Sequence, residues 1–249
     1  MVEWEALFVW LFCKEGGQGM SIPNWLRLVH LADSALPIGG TAHSYGLETL
    51  VDAGLLVPGQ LYEFLDGYLV EAGPLEALCC WRGHALGRAL REGGTATWVD
   101  EWVALNQECS AVKLARESRQ ASLSLGGRLL HLFCALEENT SLSGLLERTE
   151  AMGGGVHQSC VFGLAGGWLG GEPSMVAAVC LRQWVAGLVA ACQKLAPLGQ
   201  VQAAAIQWQL YPRIEEVALA AEGRPAMFVP LVEIASMRHP ALPVRLFIS

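Results

Sequence analysis

Charge is scarce in this sequence. Asp, Glu, Lys and Arg make up 16% of its 249 residues, against 53% hydrophobic residues. So apolar a chain predicts a large core, an obligate interface, or both. The formal net charge is −8 and no basic stripe occurs, so nucleic acid is not an expected partner. No apolar run reaches the ~18 residues of a membrane span, so no membrane is expected either. Strict alternation over five or more residues is absent and β-branched residues are sparse, which argues against a sheet. Eight cysteines stand at 13, 79, 80, 109, 134, 160, 180 and 192, yet none forms a Cys-x-x-Cys pair. They read as buried small hydrophobes in a reducing compartment, so a cytoplasmic location is expected.

Catalytic signatures are missing too. Gly153-Gly154-Gly155 lacks a following Gly-Lys-Ser/Thr and a preceding strand, and so reads as a hinge rather than a phosphate loop. No Gly-x-Ser-x-Gly elbow is present, and Ser44 beside His43 is badly placed for a nucleophile and base. Neither catalytic residues nor a cofactor are expected.

What the chain does have is helical periodicity. Stripes run through Trp25, Leu28, Val29 and Ala32, then Leu47, Leu50, Val51 and Leu55, then Leu61, Phe64, Leu65, Tyr68 and Leu69. Pro74 is expected to open the next helix, lined by Leu75, Leu78, Cys79, Leu86 and Leu90. Further stripes cover 98–112, 125–136, 141–150, 156–169 and 175–195. Beyond the Pro197-Leu198-Gly199 break, helices are expected over 201–210, 214–221 and 227–236. This predicts an all-α fold, a single globular domain of about ten helices spanning 20–238. Residues 1–19 read as an N-terminal extension or a misassigned start. Glu3 and Glu5 precede their apolar run, which is not a leader pattern. Residues 239–249 carry Pro240, Pro243 and five large apolar side chains, and read as an extended interaction tail, disordered without a partner.

One stretch stands apart. Leu36-Pro37 stops the first helix, Gly39-Gly40 frees the backbone, and His43, Ser44, Tyr45 and Glu48 follow where a new helix begins. Such a cluster suits a ligand cradle, a partner surface or a helix cap. A second candidate stretch holds Arg116, Arg119 and Ser122. The two arginines lie about a turn apart and could clamp a carboxylate or a carbonyl end. Ser122 and Gly126 are small enough to admit a close backbone. Three metal-like pairs occur, Cys80 with His84, His43 with Glu48, and His157 with Cys160, but none is a closed ligand set, so no metal site is expected.

The run Asp33-Ser34-Ala35-Leu36-Pro37-x-Gly39-Gly40-x-x-His43-Ser44-Tyr45-Gly46-Leu47-Glu48 resembles the N-terminal signature of the urease accessory protein UreF family. The Arg-Ser-Gly spacing after Arg116, His157-x-x-x-Val161-Phe162-Gly163, Lys194-Leu195-x-Pro197-Leu198-Gly199-Gln200 and Arg245-Leu246-Phe247-x-Ser249 resemble later marks of that family, in order. The tail departs from it at His239-Pro240, Pro243 and Ile248. The resemblance implies a non-enzymatic helical scaffold and chaperone, a homodimer active in nickel insertion into apo-urease. It would bind a UreD/UreH-type accessory protein and recruit the UreG-type GTPase. His43, Ser44, Tyr45, Glu48, Arg116, Arg119, Ser122, Gln200, Arg245, Leu246 and Phe247 are the expected partner-binding residues. The competing reading is a small helical enzyme with a pocket around His43, Tyr45 and Glu48. A nickel-storage protein is a third reading.

Overall fold

Gly83 and Gly87 lie four apart on one helix, and Gly163 and Gly167 four apart on another. The computed structural model places the two pairs face to face. It describes residues 20–94, 98–151, 155–221, 223 and 225–249. A Cβ on Gly83 or Gly87 would lie 2.2 or 2.0 Å from the carbonyl oxygens of Cys160 and Leu164. One on Gly163 or Gly167 would lie 1.9 or 2.0 Å from those of Cys80 and His84. The pairings advance together along both helices, so the two run parallel with their backbones in contact.

Ten α-helices and no strand occur among the described residues. They are α1 Ile22–Leu31, α2 Leu47–Asp52, α3 Leu61–Arg91, α4 Trp98–Val112, α5 Arg116–Glu137, α6 Thr140–Ala151, α7 Gln158–Leu169, α8 Pro173–Leu195, α9 Gln200–Leu219 and α10 Pro230–Arg238. Short 3₁₀ turns occupy Gly40–Ala42, Pro58–Gln60 and His239–Ala241. The glycine-faced pair is α3 and α7. Around it pack α4, α8 and α9 on α3, with α5 on α7. One apolar core runs through all of them, with Trp102, Phe133 and Phe162 among its largest fully buried side chains. The all-α expectation holds.

Several helix boundaries differ from the sequence expectation; α5, expected over 125–136, begins already at Arg116. Pro74 does not open a helix; it lies inside α3, and Pro212 likewise lies inside α9. In each case the buried stripe continues in register through the proline, as Leu65, Leu69, Ala72, Leu75 and Cys79 do in α3. Packing of that face outweighs the ~3 kcal/mol cost of an interior proline. The last helix begins at Pro230 rather than 227. In α1 the inward face is Leu28 and Leu31, while Val29 points out.

α8 is long and apolar enough to cross a membrane by length and composition, despite the Arg182 that interrupts its run. Half of its most apolar window is buried in the fold, against α3 and α9, as in a core helix. Residues 1–19 and the 153–154 part of the expected glycine hinge lie outside the described residues.

Candidate functional site: the signature and the tail

The signature loop is shaped by two glycines. Gly39 has φ 80°, and a Cβ there would lie 2.5 Å from Arg128 Nη1, whose guanidinium donates to Ile38 O at 3.0 Å. Gly46 has φ 87°, and its missing Cβ makes room for Val232 O and Ser236 N of α10 at 2.8 and 2.9 Å. Tyr45 between them takes φ 53°, a left-handed conformation that costs a non-glycine residue of order 1 kcal/mol.

That shape receives the tail. The Ser44 N–H donates to Ser249 O at 2.5 Å, and the Ile248 N–H donates to Ala42 O at 2.9 Å. His43 Nδ1 lies 2.7 Å from Ser249 Oγ. Glu48, 5% exposed, is the centre of the contact. Its carboxylate accepts from the Leu246 N–H at 2.6 Å and the Phe247 N–H at 3.3 Å, and lies 2.7 Å from His239 Nε2. The other ring nitrogen, Nδ1, is 2.8 Å from Glu117 Oε2, in contact but not aligned as a hydrogen bond. His239 is therefore held between two carboxylates with no exposed surface. Lys194 donates to Thr41 O at 3.0 Å and stands 5.3 Å above the Phe247 ring.

The tail thus packs on its own chain, contrary to the expectation of a tail disordered without a partner. No helix is needed over Leu246–Ile248, because Glu48 and the Ala42 carbonyl accept from these three amides. Only alternate residues turn inward. Phe247 and Ser249 are buried, whereas Leu246 and Ile248 remain 67% and 68% exposed. Pro240 falls in the 3₁₀ turn that extends α10.

Other expected site residues separate into three groups. Arg119 donates to Lys113 O and Leu114 O at 2.6 and 3.3 Å, capping carbonyls at the end of α4 without help from Arg116. Ser122 Oγ lies 2.9 Å from His157 Nδ1, and a Cβ on Gly126 would lie 2.0 Å from Val156 O, so the close approach expected there is present. Arg116, Gln200 and Arg245 are exposed.

Tyr45 looks inward toward a buried ion pair of Lys113 and Glu76. Burial pushes its phenol well above the ordinary tyrosine range, opposed by Lys113. Burial would lower the Lys113 ammonium, but Glu76 and Cys109 outweigh it and hold the pKa above the usual lysine range. A half-open cavity of about 270 Å³ lies beside Tyr45, lined also by Asp33, Ser34, Thr41, Arg182 and Gln183. Neither His43 nor Glu48 lines it.

The metal-like pairs do not converge. The free thiol of Cys80 is hydrogen-bonded to that of Cys180, and His84 Nε2 lies 2.8 Å from Gly171 O. His43 and Glu48 serve the tail. Instead Cys79, Cys109 and Cys160, from three helices, form a buried cluster. Hydrogen bonds from Cys160 and Cys79 hold the Cys109 thiol far below the ordinary range despite burial, with His157 and Lys113 contributing. Its two neighbours are pushed up. No spacing on a single helix could have revealed this cluster. His239 and Glu117 were also missed, since Glu48 lies 191 residues from His239 and Glu117 meets His239 only in the fold.

Among the described residues the body is all-helical, and His43, Ser44 and Glu48 of the signature loop are engaged by the chain's own tail. Comparison with known sequences is specific: a UreF family profile matches residues 58–211. The "Urease accessory protein UreF" of Paenarthrobacter aurescens is 32% identical over 237 residues, covering 92% of this chain and 100% of that one. The protein of the same name from Dechloromonas aromatica is 29% identical over 227 residues, covering 90% and 96%. That of Actinobacillus pleuropneumoniae serotype 3 is 38% identical over 124 residues, about half of each chain. The chain belongs to the UreF family of urease accessory proteins.

Proposed function

We propose that the protein is a non-enzymatic cytoplasmic scaffold in the complex that delivers nickel to apo-urease. In this reading it works as a homodimer, binds a UreD/UreH-type partner and recruits a UreG-type GTPase. Family membership supports the role. The observation that carries the partner surface is the half-buried tail. Glu48 fixes Phe247 inward and thereby presents Leu246 and Ile248 outward, while α10, locked to Gly46, presents Leu231, Ile234 and Met237. Rows of large apolar side chains held rigidly at the surface suit a partner interface, because their ordering cost is already met. Exposed Arg245 and Arg116 fit a polar rim.

Leu246→Asp with Ile248→Asp tests this. Both side chains are exposed, so the melting temperature should stay within a degree or two. Co-purification with the UreD/UreH-type partner should be lost. Assembly that survives the double variant sinks the proposed surface. Turnover of a metabolite by the isolated protein would favour the enzyme reading instead.

A further inference from the structure

We propose that Cys79, Cys109 and Cys160 form a three-coordinate binding site for a soft monovalent metal ion of the Cu(I) class. The inference is independent of the scaffold reading. It begins from placement. Cys79 lies on α3, Cys109 on α4 and Cys160 on α7, and their three Sγ atoms lie within 4.8 Å of one another. All three are free thiols with no exposed surface. Metal–thiolate bonds of about 2.3 Å set sulfurs ~4 Å apart in a flat triangle. Less than an ångström of closure is therefore needed.

The frame around the ring is rigid. Gly83 and Gly163 bring the α3 and α7 backbones together at Cys160 and Cys80, so the spacing of Cys79 and Cys160 is fixed by close-packed main chain. A site held by its scaffold loses little entropy when the ion enters.

The donor set selects the ion. Three sulfurs and no carboxylate favour a thiophilic metal. Glu76, whose charge is felt at Cys79, is already bonded to Lys113. Among the described residues no fourth protein ligand, as in a structural zinc site, joins the ring: His157 is the adjacent candidate, but its nitrogens lie 2.8 and 2.9 Å from Ser110 Oγ and Ser122 Oγ. Nickel(II) in a square-planar or tetragonal site prefers nitrogen and oxygen donors, which the ring lacks. The buried ammonium of Lys113, one turn beyond Cys109, offsets the negative charge that thiolate ligation builds.

In this proposal the ion enters from the surface beside Cys79 and Cys109. Arg82 stands one turn beyond Cys79, and Glu108 adjoins Cys109. Their exposed ion pair borders a surface cleft lined also by Ala111, Val112, Gly223 and Pro225. Opening such a pair costs little.

The test titrates reduced, anaerobic full-length protein with Cu(I) against a chromogenic Cu(I) chelator. A Cys13→Ala background removes the one thiol outside the described residues. The expected result is one Cu(I) per chain, three sulfur neighbours by X-ray absorption, and weaker binding at lower pH as thiol protons compete. Cys109→Ala should lower the affinity at least ~100-fold, and Cys134→Ala should leave it unchanged. If Cys109→Ala does not fold by circular dichroism, alkylation mapping of the parent protein decides. Copper should then protect Cys79, Cys109 and Cys160 together. Absence of stoichiometric copper, ligation by nitrogen or oxygen, protection of other cysteines, or equal affinity for Ni(II) would each overturn the proposal.

Discussion

The α3–α7 contact and the clasp between residues 43–48 and the tail hold this molecule by opposite means. At the first, four glycines give up about 1 kcal/mol each in helix propensity relative to alanine. In return two backbones touch, and dispersion accumulates along the whole seam. At the second, one buried carboxylate gathers an imidazole and two amides. Burying a carboxylate is costly unless it is hydrogen-bonded, and both oxygens of Glu48 accept. The seam should therefore be sensitive to added volume and indifferent to charge, and the clasp the reverse.

The largest effect should come from Gly163→Ala. Its new methyl would sit 1.9 Å from Cys80 O, a backbone atom that cannot move aside without parting the helices. Overpacking of this kind costs 1–3 kcal/mol or more, and here we expect upwards of about 3 kcal/mol in denaturant unfolding. Gly67→Ala, exposed on α3 with nothing within 4 Å, should instead gain up to about 1 kcal/mol. Equal behaviour of the two variants would erase the distinction between seam and surface.

A smaller loss is expected from Glu48→Gln, which keeps the shape and removes the charge. Hydrogen bonds to charged groups contribute about 1.5–3 kcal/mol, so stability should fall by an amount in that range. The Leu246 and Phe247 amides should then exchange with solvent much faster. Unaltered exchange at both amides would mean that the tail is held by Phe247 packing alone.

How much of this contrast could be read from the sequence differs between its two halves. Helical stripes gave the class of fold, because a 3.6-residue period survives any tertiary context. Pro74 and Pro212 misled, because local rules cannot register a buried face that continues across them. Glu48, Leu246 and Phe247 were singled out by resemblance as partner-binding residues, yet their joining to one another within the chain was not visible. The contact spans 198 residues, and neither segment carries a mark of its partner. The four-residue spacing of Gly83 with Gly87 and Gly163 with Gly167 was present as a signal of close helix approach. The three thiols, by contrast, come from three helices and share no spacing in sequence that marks them.

The smallest effect concerns acid. Burial, then Arg128, holds His43 below its ordinary pKa of 6.5, and burial does the same to His84, partly offset by the Gly171 carbonyl. Below pH 6.5 the unfolded chain thus binds more protons than the folded one. The contribution of these histidines to stability is complete above pH 6.5 and shrinks as the pH falls beneath it. Replacing His84 by Asn should flatten part of that decline in melting curves taken from about pH 7 to 5. An unchanged slope would assign the acid sensitivity to the clasp rather than to the neighbourhood of the seam.

Joining His43 to Ser249 also ties the front of the polypeptide to the order of its synthesis. The two residues are 206 positions apart. At roughly 5–20 residues per second on the ribosome, some 10–40 s separate their appearance. During that interval the Ser44 amide and the Glu48 carboxylate have emerged but their native partners have not been made. Any chaperone or neighbouring chain that captures residues 43–48 first competes with the chain's own tail. The loop then records whether translation has passed residue 249.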